Sequence, residues 1–208
     1  MSRVSEIRIV TVVGNPKAGS RTLTAATTLA TGVAERLRDV DDFDPLVAEP
    51  IDLAVIAGGL LAPWRLSPAA ANAVDSARSA AVLVLATPTY KASYTGLLKL
   101  FLDTFPAGSL ATAAVLPLTV AGGPGHRQLA DLQLRPVLSE LGAAVPTPSL
   151  LLEEAQLAAL PPIVEDFLDR HAAVLTATVA ALRRPAVTAR TAVTARTTVT
   201  HELKGSLS

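Results

Sequence analysis

Gly14-Asn15-Pro16-Lys17-Ala18-Gly19-Ser20-Arg21-Thr22 is the stretch on which the rest of the chain turns. An apolar, β-branched run at 7–13 precedes it, and a long Ala/Thr/Leu segment at 21–38 follows. That order predicts strand, tight loop, helix. Where such a loop meets a helix start, unpaired backbone N–H groups and the positive end of the helix dipole converge and favour a phosphate. Ser20 and Thr22 add hydroxyl donors, Arg21 adds a charged fork, and the nine residues contain no Asp or Glu. The loop is expected to hold the phosphate of a nucleotide-like ligand. An ordinary strand-to-helix turn is the alternative. The Gly14-x4-Gly19 spacing is that of a P-loop, but Ser20-Arg21 stands where Lys-Ser/Thr is needed. The G-x-G-x-x-G spacing of a dinucleotide fold is absent.

Outward from this loop, strands alternate with helices. Further strands are expected near 45–49, at 81–86, at 113–120 and near 147–152. Helices are expected at 68–79, at 97–105, at 126–141 and at 161–184, the first capped by Ser67 with Pro68 in its first turn. Residues 81–86 form an unbroken apolar run, as in a central strand covered on both faces. The alternation argues for a parallel sheet wound on both faces, with ligands outside the carboxyl ends of its strands. Three strands end in loops of Gly, Pro and small polar residues, starting at Gly14, Pro88 and Ala121, which would share one edge.

The second loop carries both tyrosines of the chain, Tyr90 and Tyr94, with Thr89 and Ser93 beside them. In so aromatic-poor a sequence this suits a planar heterocycle with polar edges, or else a turn facing water or a subunit contact. The third loop, Ala121-Gly122-Gly123-Pro124-Gly125, is almost bare of side chains and permits close backbone approach. His126 follows at an expected helix start, and His171 and His201 have no partners in view.

Composition narrows the function classes. The 208 residues suit one globular domain, half of them hydrophobic but only 3% aromatic, so Ala, Val and Leu build the core. Lys plus Arg and Asp plus Glu both number 18, without the basic footprint of a nucleic-acid binder. There is no cysteine, hence no disulfide or thiolate chemistry. No apolar run is long enough for a membrane helix and no signal peptide is evident, so a cytoplasmic protein is expected. No nucleophile elbow or His-based metal spacing occurs, so an enzyme built on these loops needs a cofactor for its reactivity. After residue 184 the composition changes: Ala-Val-Thr-Ala-Arg-Thr occurs at 186–191 and again at 192–197, read as a repetitive tail or an arm.

These motifs resemble a known family. Gly14-Asn15-Pro16 with Ser20-Arg21-Thr22 resembles the Gly-Ser-Pro-x-x-x-Ser-Arg-Thr phosphate loop of the flavodoxin-like NAD(P)H-dependent FMN reductases. Residues 86–99, Ala-Thr-Pro-Thr-Tyr-Lys-Ala-Ser-Tyr-Thr-Gly-Leu-Leu-Lys, are similar to their flavin loop. Pro117-Leu118, Gly122-Gly123, His126 and the run from Leu134 to Leu138 match the third segment in the same order. The likeness runs from about residue 7 to 155 and is nearest to the reductase components of two-component alkanesulfonate-type monooxygenases.

The resemblance implies a five-stranded parallel sheet of order 2-1-3-4-5 in a domain at 1–184, with 185–208 outside it. It implies FMN with NADPH or NADH, and hydride transfer with no side chain as acid or base and no metal. Asn15, Ser20, Arg21 and Thr22 would hold the phosphate. Pro88, Thr89, Tyr90, Lys91, Ala92 and Ser93 would line the isoalloxazine, approached from the third loop by Gly122 and Gly123. A homodimer or homotetramer and a partner monooxygenase are implied too. The alternatives are a flavin-retaining quinone or azo reductase and a flavodoxin-like electron carrier. Two residues depart from the family pattern: Asn15 replaces a serine, and Leu132 stands where some relatives carry an aromatic.

Overall fold

The computed structural model describes residues 5–183; the repeat-bearing segment 185–208 and His201 lie outside the described residues. The strands are β1 (Ser5–Val13), β2 (Phe43–Val47), β3 (Ile51–Asp52), β4 (Val82–Pro88), β5 (Ala114–Ala121) and β6 (Leu150–Glu153). The helices are α1 (Arg21–Arg38), α2 (Leu53–Ile56), α3 (Pro68–Arg78), α4 (Gly96–Leu102), α5 (Leu129–Glu140) and α6 (Leu160–Arg183). All strands pair in parallel in the order β2-β1-β4-β5-β6. This is the expected 2-1-3-4-5 path with one addition: β3 pairs with Val12 and Val13 of β1, continuing the β2 edge.

Alternation along each strand divides the core. Ile7, Ile9 and Val13 face α1 and α6, whereas Val10 and Val12 face α3, α4 and α5. Buried Ala25, Ala26, Leu29, Ala30, Val33, Ala34 and Leu37 form the apolar stripe of α1. Small side chains here let helices come close: a Cβ on Gly32 would stand 2.6 Å from Leu168 Cδ1 of α6. On the other face Phe101 meets Phe105 edge to face, ring centroids 5.1 Å apart.

Several boundaries differ from the sequence reading for local reasons. The helix expected from His126 begins instead as a 3₁₀ turn, Pro124–His126, and α5 starts at Leu129. The helix expected to 105 ends at Leu102, where the Asp103 and Thr104 amides fold back onto Lys99 and Phe101. Strand β2 lies two residues earlier than expected. In β6 the ladder starts at Leu150, because Arg135 reaches the Thr147 carbonyl and Ser149 Oγ and holds those residues in a clip with Asp131.

Both sheet edges are closed to further pairing. The Ala48 amide donates to the Ile9 carbonyl, so even-numbered residues of β2 face β1, and Pro45 sits on the outer side where an N–H is missing. On the β6 edge, the Leu151 carbonyl accepts from the Arg127 guanidinium and the Glu153 amide donates to Gln156.

Candidate functional site

The chain leaves β1 toward β2 on one side and toward β4 on the other, so the carboxyl ends of β1 and β4 bound the topological switch point. The first and second loops meet there. Within the first, Asn15 Oδ1 accepts from the Lys17 amide at 2.9 Å and its Nδ2 donates to Thr22 Oγ1 at 3.1 Å, tying the loop entry to the first turn of α1. Gly19 adopts φ +62, the left-handed conformation that favours glycine. Ser20 caps α1, its Oγ accepting from the Leu23 amide. The Ser20 and Thr22 oxygens are thus acceptors within the loop, and their hydroxyl hydrogens are left to donate outward. Arg21 and Thr22 precede the first α1 amide that finds an acceptor, Leu23 on Ser20.

Two carboxylates approach this cradle from outside the motif. Asp52, at the end of β3, accepts from the Gly19 amide at 2.9 Å and from the Ala54 amide at 3.2 Å. Glu154, just past β6, accepts from Arg21 Nη2 at 2.9 Å, both side chains being more than half exposed. The nine-residue loop lacks acids, but the folded cradle does not.

The second loop is a tight turn. Tyr90 and Ser93 exchange backbone hydrogen bonds of 2.8 and 3.0 Å, while Lys91 and Ala92 adopt φ 49 and 63. These are the only non-glycine residues with positive φ among the described residues. A turn with both central residues left-handed favours Asn-Gly, so Lys-Ala here stores about 1–2 kcal/mol per residue. Gln133 of α5 holds it from behind: its Nε2 donates to the Ala92 carbonyl at 2.9 Å and its Oε1 accepts from Ser93 Oγ at 2.7 Å. Thr95 locks the two loops together. Its Oγ1 donates to the Gly14 carbonyl and accepts from the Leu98 amide as cap of α4. Gly14 must lack a side chain, because a Cβ would lie 2.5 Å from Leu98 Cβ.

Asn15, Ser20, Arg21, Thr22, Pro88 and Tyr90 come together around a cleft of about 240 Å³, with Lys17, Gly19, Val120, Glu154 and Leu157 completing its wall. Thr89, Lys91, Ala92, Ser93, Gly122 and Gly123 are not in that wall. They lie along the same edge: the Thr89 amide donates to the Val120 carbonyl, and Gly122 follows directly on β5. A Cβ at Gly122 or Gly123 would meet nothing within 4 Å, so the protein's own packing does not demand either glycine and the space above them is open. Tyr94 is not in the cleft but packs among the α3–α5 core residues. Burial pushes its phenol pKa up, with the nearby Lys99 opposing and Asp103 adding to the rise. His126 is exposed on the 3₁₀ turn, and His171 lies tilted against Phe167 in α6, ring centroids 4.8 Å apart.

A larger groove of about 590 Å³ runs between β6 and α6. Its arginines already have acceptors in the groove's own lining, Arg127 on the Leu151 carbonyl and Arg170 on Asp166. The smaller cleft at the strand ends has the donors. At about 240 Å³ it falls below the usual ligand-pocket range of about 300–1,000 Å³ and suits the phosphate end of a nucleotide rather than a whole one.

A doubly wound parallel sheet of this strand order, with its first two loops meeting at the switch point, makes this a flavodoxin-like α/β protein. The family described as NADPH-dependent FMN reductase matches residues 7–156, and the chain belongs to that family. It is 34% identical over 141 residues to the FMN reductase (NADPH) of Escherichia coli (strain K12), covering 66% of this chain and 68% of that one. It is 28% identical to the NADH-dependent FMN reductase SfnE of Pseudomonas putida, covering 73% of this chain and 80% of that one. Among solved structures it matches the apo form of the NADH:FMN oxidoreductase EMOB at 29% identity and a TM-score of 0.64, over 86% of this chain and 92% of that one. No helix among the described residues is long and apolar enough to cross a membrane.

The roles of Asp52, Thr95, Gln133 and Glu154 are not part of the sequence reading. Thr95 before Gly-Leu-Leu and Asp52 before an apolar run carry the general signal of a helix cap. Gln133 and Glu154 lie 40 and 133 residues from their partners, and no local pattern marks them.

Proposed function

We propose that the chain is an NAD(P)H-dependent FMN reductase that binds its flavin at the carboxyl edge of β1, β4 and β5. The observation that carries this reading is the convergence of the Ser20 and Thr22 hydroxyls, the first α1 amides and Arg21 on one cleft beside the strained Tyr90–Ser93 turn. Bound there, FMN would supply the redox chemistry, accepting hydride from NADPH or NADH. Asn15, Ser20, Arg21 and Thr22 hold the phosphate. Pro88, Thr89, Tyr90, Lys91, Ala92 and Ser93 face the ring, and the bare backbone at Gly122 and Gly123 lets it lie close. The protein orients two ring systems and supplies backbone donors; no side chain has to carry a proton.

The same reading places the enzyme in the cytoplasm, as a homodimer or homotetramer that passes reduced flavin to a partner monooxygenase. With Pro45 and Arg127 blocking the sheet edges, such assembly would run through helix faces, where Leu132 of α5 is 62% exposed. Fluorescence titration with FMN and riboflavin, then anaerobic mixing of the FMN-loaded protein with NADPH or NADH, tests the reading. Tighter binding of FMN than riboflavin and rapid bleaching of the visible flavin band are expected. Equal affinity for both flavins would remove the phosphate cradle, and absence of bleaching would remove the reductase.

A further inference from the structure

We propose that Glu154 competes with the flavin phosphate for Arg21 and thereby keeps FMN exchangeable; this rests on the flavin reading of the cleft. Arg21 is the charged donor at the mouth of the cradle, and it is already engaged by Glu154 at 2.9 Å. Glu154 itself lines the cleft, so its carboxylate stands where an arriving phosphate finds its counter-charge. The two side chains are 66% and 57% exposed, so the guanidinium can swing from one anion to the other without disturbing the core. An exposed pair of this kind is weak enough to exchange, and its geometry, one nitrogen on one oxygen, is not the bidentate fork that would lock it.

The rest of the cradle points the same way. Asp52 takes the Gly19 amide, so a loop that is free of acids in sequence carries two carboxylates, Asp52 and Glu154, against two cations, Lys17 and Arg21. A phosphate entering this site meets a formally neutral surface. It gains Arg21 only by displacing Glu154, which then stays nearby as a like charge. Every bound FMN therefore carries a standing competitor. Two-step exchange follows: Arg21 on phosphate when flavin is held, Arg21 on Glu154 when it leaves, so this guanidinium has an anionic partner in either state.

The test is a flavin titration of the whole chain and three variants: Glu154→Gln, Arg21→Ala and the double variant, each with FMN and with riboflavin. Glu154→Gln is expected to tighten FMN by about two- to fivefold while riboflavin stays unchanged, the range an exposed ion pair supports. In the Arg21→Ala background most of the gain should vanish, since Glu154 acts chiefly through that guanidinium and only weakly as a like charge. FMN affinity unchanged in Glu154→Gln, an equal gain for both flavins, or a full gain without Arg21 would each overturn the proposal while leaving the flavin site in place. A wild-type protein that binds riboflavin as tightly as FMN would overturn both.

Discussion

Replacing Thr95 by valine tests whether the first two loops are one rigid unit. Thr95 is buried, so the isosteric methyl fits the same space, and only hydrogen bonding changes. Two bonds go: the one it donates to the Gly14 carbonyl and the one it accepts from the Leu98 amide. Loss of the α4 cap costs about 1 kcal/mol. Leaving the Gly14 carbonyl without its donor at a buried site costs about 1–2 kcal/mol more. The Thr95 amide keeps its bond to Thr87 Oγ1, so the backbone path is unchanged. A total loss of about 2–3 kcal/mol moves the urea midpoint down by roughly 1 M at a slope of about 2–3 kcal/mol/M, the slope itself unchanged. Thr95→Ser retains the hydroxyl and should recover most of the difference. On the proposed flavin reading, FMN affinity should fall with Thr95→Val as well, because the first and second loops lose their common anchor. A valine variant with the wild-type midpoint and slope would refute the claim that this side chain couples the loops.

Other perturbations read other parts of the argument. Gly14→Ala forces a Cβ to within 2.5 Å of Leu98 Cβ, an approach that no change of rotamer relieves, so overpacking of about 1–3 kcal/mol is expected. Net destabilisation should be seen by thermal melting. Gln133→Ala frees the Ala92 carbonyl and Ser93 hydroxyl; KM for FMN should rise several-fold while stability falls by less than about 1 kcal/mol, and Gln133→Leu should behave alike. Stability should also fall in alkali. Lys99 is held above its ordinary 10.5 by its bond to Asp103, and Tyr94 above 10.0 by burial. Both groups bind protons more tightly folded than unfolded, so their contribution is complete below about pH 10 and is lost as pH rises through the folded values. Urea midpoints across that range should show the decline, and Lys99→Met should make it shallower.

The architecture was legible where periodicity is strong. The α1 boundaries read from the Ala/Thr/Leu segment, Arg21–Arg38, coincide with those of the folded helix, and Ser67 caps α3 as its sequence position suggests. Legibility failed where a few local bonds outweigh pattern. Pro124 and Gly125 make a 3₁₀ turn that delays α5 by three residues, and the two-residue β3 has too little sequence to show a period. At the cleft, the donors could be named from one stretch because they are consecutive. Their competitors could not, because Asp52 and Glu154 arrive through the sheet from 33 and 133 residues away.

The strain at Lys91 and Ala92 shows why this edge reads as a site rather than as a well-made turn. Tight turns elsewhere in the molecule obey the local rule: Gly19, Gly108 and Gly142 supply the positive φ angles. At Tyr90–Ser93 the rule is broken twice in succession, and the surroundings are arranged to hold the break. Thr87 Oγ1 and Thr95 brace the turn's exit, Gln133 grips its tip, and the Thr89 amide is fastened to β5. Packing alone would not call for this, since glycine at either position would form the same turn at lower cost. What Lys91 and Ala92 add over glycine is a stiffer backbone and a fixed direction for the carbonyl and amide groups between Tyr90 and Ser93. Of this turn Tyr90 lines the cleft, and Gln133 fixes the Ala92 carbonyl behind it. On the proposed reading, a rigid edge at Tyr90 orients the flat flavin ring, which is the role a flavin reductase asks of its protein.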